Sequence, residues 1–245
     1  MVKQIPNLFT LLNLVFGCIA IALIMQYNPN EGMNLSGLSL LLGCVCIFLA
    51  AIIDFLDGFV ARLFKATSAM GEQLDSLADV VSFGVAPAMI LFKMLQVCFT
   101  NNSEIINPFW YQVPAFILPC AAAWRLAKFN LDKEQRYYFK GVPTPAAGLV
   151  IASLPLDNRV ADFIFSSPVT IYALILVMSF LMVSNIPMMS MKFKSRLPKY
   201  NIDKILIVVI ALVAAIFFQW AAVPIIFIAY VILSLIFRPD RGVVE

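Results

Sequence analysis

Residues 54–79 read DFLDGFVARLFKATSAMGEQLDSLAD, and within them Asp54, Asp57, Gly58, Ala61, Arg62, Gly71, Asp75 and Asp79 form a constellation across the end of one apolar segment and the start of the next. A charged side chain at bilayer depth costs roughly 2.5 to 3.5 kcal/mol even on lenient insertion scales. Four aspartates within 26 residues therefore imply a strongly bound compensating partner. Asp54 and Asp57 are three apart and Asp75 and Asp79 four apart, so each pair shares one helical face. Two helices joined by a short turn around Gly71 are expected to aim all four carboxylates at one point. Arg62 alone cannot neutralise them.

The surrounding sequence sets the medium. Of 245 residues, 62% are hydrophobic and 13% charged, about half the charged fraction of a soluble domain. Apolar stretches of near-membrane length run at about residues 6–27, 35–64, 73–97, 109–131, 168–190, 204–219 and 222–237. The first has no classical short signal core followed by an Ala-x-Ala cleavage site and reads as a retained helix. A shorter one, 143–156, is bracketed by Pro143, Pro145 and Pro155 and fits a short span or a re-entrant piece. The expected fold is an all-α, polytopic integral membrane bundle of about eight transmembrane helices. With no internal repeat, long linker or low-complexity tract, residues 1–245 read as a single membrane domain.

Charge distribution orients the bundle. With the N-terminus in the cytoplasm, eight spans leave only Lys93 and Arg159, of 17 basic residues, on the outer side. The positive-inside rule then places both termini, and the aspartates at the ends of the second and third helices, in the cytoplasm. Net charge is only +3 and the basic residues lack interleaved aromatics, which argues against a nucleic-acid partner. The Lys192–Lys204 stretch is expected to meet anionic headgroups.

The donor set narrows the chemistry. The chain has no histidine, which excludes His-dependent triads and His-ligated zinc. Its five cysteines lie in or beside apolar runs without zinc spacing and read as small apolar fillers. Carboxylates alone favour a hard ion, Mg²⁺ or Mn²⁺, and four can hold two divalent cations that share a ligand. Gly58 and Ala61 sit on the face of Asp54 and Asp57, where either helix packing or a bulky ligand approaching the backbone would call for small residues. Arg62 suits phosphate oxygens. Cations, an arginine and bare backbone together describe a diphosphate site.

Written out, Asp54-x2-Asp57-Gly58-x2-Ala61-Arg62-x8-Gly71-x3-Asp75-x3-Asp79 resembles the complete signature of the CDP-alcohol phosphotransferase family of membrane enzymes. Eight fixed identities at fixed spacing arise by chance at about 10⁻⁸ or less per chain, so the match is specific. In that family a hydroxyl attacks the phosphorus of a CDP-linked lipid or alcohol and CMP leaves. The resemblance implies that Asp54, Asp57, Asp75 and Asp79 hold the metals, that Asp79 is also the general base, and that Gly58, Ala61, Arg62 and Gly71 surround the CDP moiety. It also implies a homodimer.

Four further stretches resemble the phosphatidylserine synthase branch of the family: Ile5 to Leu14 (IPNLFTLLNL), Asp79 to Pro87 (DVVSFGVAP), Arg125 to Asn130 (RLAKFN) and Phe139 to Ala147 (FKGVPTPAA). With the core motif they cover about residues 5–150, the expected catalytic core; the helices at about 168–237 are generic. The branch implies CDP-diacylglycerol as donor and L-serine as acceptor. Arg125, Lys128 and Ser82 are candidate acceptor contacts, with Arg125 and Lys128 offering a fork of donors at one helix end. Thr10 and Asn13 fit either a role near the nucleotide or a bond to a neighbouring helix, and Ser82 and Gly84 fit close packing equally well. Glycerol phosphate or inositol phosphate remain alternative acceptors. A cation-coupled transporter is a reading of a different class, disfavoured because the acids gather at one edge and no inverted halves are visible.

Overall fold

Long apolar sequence makes long helices here, and several breaks fall where serine, aspartate or proline ends a run. The computed structural model describes residues 5–28, 35–64, 68–100, 109–132, 139–189 and 202–236. Helices α1 (Ile5–Met25) and α2 (Leu35–Leu63) form an antiparallel pair. They pack tightly at Gly43, where a β-carbon would stand 2.7 Å from Ile24 Cγ1 and 3.1 Å from the Ala20 carbonyl oxygen.

Ser68 begins α3 (Ala69–Asp79) by accepting a hydrogen bond from the Gly71 amide. The expected turn around Gly71 is therefore displaced: Gly71 lies inside the first turn of α3, because Ser68 starts the helix four residues ahead of the apolar run expected from 73. From α3 the chain passes without a break through a π-helical segment, Val80–Val85, into α4 (Ala86–Thr100). The Ala86 amide bonds to the Val81 carbonyl, the i→i−5 closure that defines the wider turn.

The stretch expected as one helix at 109–131 is broken by Pro114 into α5 (Phe109–Gln112), a 3₁₀ turn (Val113–Phe116) and α6 (Ile117–Leu131). Residues 143–156 form α7 (Thr144–Ser153), ended by Pro155 in a 3₁₀ turn (Leu154–Leu156). Asp157 then caps α8 (Asn158–Phe165), and Ser167 with Pro168 starts α9 (Pro168–Val183) at 98° to it. Helix α9 stops at Ser184, short of the expected 190, where the chain turns extended toward Pro187. There β2 (Pro187–Met188) pairs antiparallel with β1 (Phe139–Lys140), a two-residue ladder that no sequence pattern announced.

Helices α10 (Ile202–Phe218) and α11 (Ala222–Ile236) are joined by a 3₁₀ turn in which Gln219 takes φ 51°. They fold back on each other. Ile207 and Leu233 would stand about 39 Å apart on a straight helix, yet they share one buried cluster with Met189.

Among the described residues, Pro6–Met25, Gly37–Leu63 and Ala69–Phe99 are helical runs long and apolar enough to cross a membrane; Lys204–Ile236 is a fourth by length and composition, turned back at Gln219, and α8 with α9 makes a fifth if the bent pair is one span. This is an all-α integral membrane architecture. One apolar core reaches from Ile24 and Ile47 through Leu91, Leu118 and Ile171 to Phe227. Ile52, Phe55, Val169, Phe180, Ile216 and Phe217 point outward, as a lipid-facing surface requires.

Polar contacts divide between the two ends. At one lie Thr10 with Asp57, Asn13 with Asp79 and Arg125 with Thr144. At the other, Lys93 donates to the Tyr27 carbonyl, Cys98 to Phe165 and Tyr172 to Tyr111. All five cysteines are free; Cys44 is buried and Cys18 and Cys120 are exposed. Of the charges that carried the topology argument, Lys3, Lys65, Lys133, Arg136, Lys192, Lys194, Arg196, Lys199, Arg238 and Arg241 lie outside the described residues.

Candidate active site

The site is assembled from the C-terminal end of α2, the first turns of α3 and the N-terminal half of α1. Asp54, Asp57 and Asp75 each offer an oxygen within 4.8 Å of the others. Two helices thus bring three anions together, and Asp79, one turn beyond Asp75, lies within electrostatic range of all three. Among the described residues no salt bridge reaches these carboxylates, and the cation within electrostatic range is Arg125, beside Asp79.

Helix α1 supplies the neutral polar contacts. Thr10 Oγ1 donates to Asp57 Oδ2 at 2.8 Å, and Asn13 Nδ2 donates to Asp79 Oδ1 at 3.5 Å. Thr10, Asn13, Asp57 and Asp79 are all buried. Asn13 Oδ1 and Asp75 Oδ1 are buried with no hydrogen-bond partner. A carboxylate oxygen left that way is expensive unless something positive meets it. All-oxygen donors with an orphaned buried carboxylate oxygen suit a hard divalent cation, which Asp54, Asp57 and Asp75 are placed to hold.

Beside the carboxylates opens a cleft of about 540 Å³ lined by Asn7, Thr10, Asp57, Gly58, Ala61, Gly71 and Glu72, among others. Three of the four residues expected to surround a nucleotide diphosphate are in its wall. The space in front of Gly58 is open: the nearest atom to an added β-carbon would be Arg62 Nη1, 3.9 Å away. Arg62 itself is exposed on the last turn of α2, with its guanidinium over the Gly58 rim. Gly71 is hemmed in, its absent β-carbon lying 3.0 Å from Asn7 Oδ1.

The remaining candidates sit elsewhere. Ser82 is fully buried in the π-helical segment and donates to the Asn13 carbonyl at 3.1 Å. Arg125 is buried on α6, with Nη1 donating to Thr144 Oγ1 at 3.1 Å and Nε lacking a partner. Its electrostatic neighbours are Asp79 and Tyr230 of α11. Lys128 bonds the Asn185 side chain beyond α9, so the expected fork is divided: Arg125 faces inward and Lys128 the connection after α9. Asn7, Glu72, Thr144 and Tyr230 were not singled out from the sequence. Asn7 had a signal in the polar character of the first helix, and Thr144 lay inside a quoted branch segment.

A membrane-embedded helical protein that gathers carboxylates placed to hold a cation at one end of its bundle, beside a cleft walled by bare backbone, has the architecture of an enzyme acting on phosphorylated lipid. The chain belongs to the CDP-alcohol phosphatidyltransferase family, whose model matches residues 3–236. It is similar to a CDP-diacylglycerol--serine O-phosphatidyltransferase of Mycobacterium leprae, with 33% identity over 80% of this chain and 61% of the relative. Proteins of the same name from Mycobacterium bovis, 31% identical over 92% of this chain and 75% of theirs, and Helicobacter pylori, 33% identical over 74% and 70%, are similar too.

Proposed function

We propose that this chain transfers the phosphatidyl group of CDP-diacylglycerol to the hydroxyl of L-serine, giving phosphatidylserine and CMP. The observation that carries the reading is the cluster of Asp54, Asp57 and Asp75 beside a cleft walled by Gly58, Ala61 and Gly71. The printed names of the relatives support the donor and the acceptor.

Asp54, Asp57, Asp75 and Asp79 would hold two divalent cations, Mg²⁺ or Mn²⁺, which when bound neutralise diphosphate charge. Gly58 and Ala61 leave the α2 backbone bare for the nucleotide, and Arg62 meets phosphate oxygens from the rim. Asn13 holds Asp79 Oδ1, so Oδ2 takes the serine hydroxyl proton. The serine oxygen bonds to the phosphorus bearing diacylglycerol, the bond from that phosphorus to the bridging oxygen breaks, and CMP leaves with that oxygen. Arg125 receives the serine carboxylate, which must be recognised beside anionic side chains.

Eight spans with both termini cytoplasmic follow from the distribution of basic residues and leave the donor's acyl chains in lipid with its headgroup at the cytoplasmic mouth. The active unit is a homodimer. The test uses purified protein in lipid nanodiscs with CDP-diacylglycerol, Mg²⁺ or Mn²⁺, and serine, glycerol phosphate or inositol phosphate offered separately. Stoichiometric CMP release with serine alone is expected, with loss on EDTA and recovery on adding metal. Turnover in excess EDTA rejects the metal assignment; turnover only with another alcohol rejects serine.

A further inference from the structure

Helix α11 is tied by hydrogen bonds to the segment after α9, and that segment in turn holds the residues leading into Thr144. Tyr230 Oη of α11 donates to the Met189 carbonyl at 3.1 Å, and the Met189 amide donates to Ser234 Oγ at 3.2 Å. The segment so held carries β2, whose Pro187 and Met188 pair with Lys140 and Phe139. From there the Gly141 amide bonds to the Ile186 carbonyl at 2.8 Å and the Val142 amide to the Leu181 carbonyl at 3.1 Å.

Only glycine fits the middle of this strap. Gly141 has φ 76°, and a β-carbon there would stand 2.6 Å from the Met182 carbonyl oxygen and 2.7 Å from that of Ser184. The strap therefore closes directly on the C-terminal end of α9. Its last residue, Thr144, is fully buried and accepts the bond from Arg125 Nη1.

We infer that Thr144, held by the Gly141 strap against α9 and α11, is a positioning residue that fixes the Arg125 guanidinium for an anionic acceptor group. The inference rests on the proposed role of Arg125 as the carboxylate receptor. An arginine side chain rotates about several bonds, and one anchored Nη1 sets the direction of the remaining donors. Nε, buried and without a partner, is one of the two donors a bidentate carboxylate contact uses. Thr144 itself need not touch substrate.

The experiment compares Thr144→Val, Thr144→Ser, Arg125→Lys and the double variant Arg125→Lys/Thr144→Val in nanodiscs, reading KM for serine, KM for CDP-diacylglycerol, kcat and thermal midpoint. Thr144→Val should raise the serine KM about tenfold, leave the donor KM unchanged and hold kcat within about threefold. Serine at 144 restores the acceptor oxygen and parental kinetics. Because Thr144 acts through Arg125, adding Thr144→Val to Arg125→Lys should worsen the serine KM no further. A raised serine KM in Arg125→Lys with a parental one in Thr144→Val overturns the inference while the Arg125 reading stands. Parental serine KM in Arg125→Lys removes the Arg125 reading and this inference with it. Equal damage to both KM values with a lowered midpoint assigns Thr144 a purely structural role and also overturns it. If valine prevents folding, Thr144→Ala removes the same acceptor with a smaller side chain and is judged by the same outcomes.

Discussion

Thr10 Oγ1 donates a 2.8 Å hydrogen bond to Asp57 Oδ2, so a hydroxyl on the first helix fixes a carboxylate on the second at the mouth of the cleft. A hydrogen bond to a charged group contributes about 1.5 to 3 kcal/mol, and here it orients a proposed metal ligand. Thr10→Val is expected to raise the metal concentration for half-maximal CMP release by about tenfold, with Thr10→Ser near parental. A metal titration in nanodiscs checks this. An unchanged curve for the valine variant would separate the bond from metal binding.

Asp79→Asn keeps shape and one coordinating oxygen but loses the proton acceptor. Turnover should fall by roughly 10² or more while CDP-diacylglycerol binding largely survives. Asp57→Asn should weaken both metal and donor binding. If Asp79→Asn remained within about threefold of the parent rate, the base would have to be another group.

Two glycines should answer the same substitution differently. A β-carbon on Gly17 would stand 2.9 Å from Ser82 Cα and collide with Ser82 Oγ, whereas one on Gly58 meets open space. Overpacking of this kind costs about 1 to 3 kcal/mol, so Gly17→Ala should lower the thermal midpoint in detergent by several degrees. Gly58→Ala should leave the midpoint in place and raise the KM for CDP-diacylglycerol. Equal midpoints for both variants would contradict the packing described at the π-helical segment.

At the opposite end of the bundle, beyond the apolar spans, Asp157 caps α8 and accepts from Arg159 Nη2 at 3.2 Å. The Arg159 hydrogen bond holds its carboxyl below the usual carboxylate range. A carboxyl lowered on folding adds stability above its unfolded pKa, and that stability is lost as pH falls through the folded value. Asp157→Asn should therefore melt earlier than the parent at pH 7, and the gap should close below about pH 3.9. A gap that persisted in full at pH 2 would show that the contribution is not ionic.

The sequence made the aspartate pairs legible because spacing of three and four residues on a helix dictates a shared face, and Asp54, Asp57 and Asp75 do converge. Gly58, Ala61 and Gly71 in the cleft wall were equally readable from their place in that pattern. What α1 contributes was not decidable: Thr10 and Asn13 fit a helix-to-helix bond as well as a site, and in the structure their bonds across helices end on the site's own carboxylates. The separate partners of Arg125 and Lys128 depend on Thr144 and Asn185, residues distant in sequence whose approach only the packed bundle determines. The β1–β2 ladder and the strap at Gly141 lie in short connections with no periodicity to read.

The π-helical segment Val80–Val85 has a consequence for register. Such a segment is an α-helix with one residue too many, and each residue turns an α-helix by about 100°. The half of the rod that bears Asp75 and Asp79 is thereby set out of phase with the half that packs Ile90 and Leu91 into the apolar core. Deleting one residue between 80 and 85 would restore a regular helix and swing the carboxylates about a quarter turn away from Asp54 and Asp57. The extra residue works as a phase shifter, letting one continuous rod present its acids to water-borne chemistry and its apolar stripe to the bundle on two independent headings.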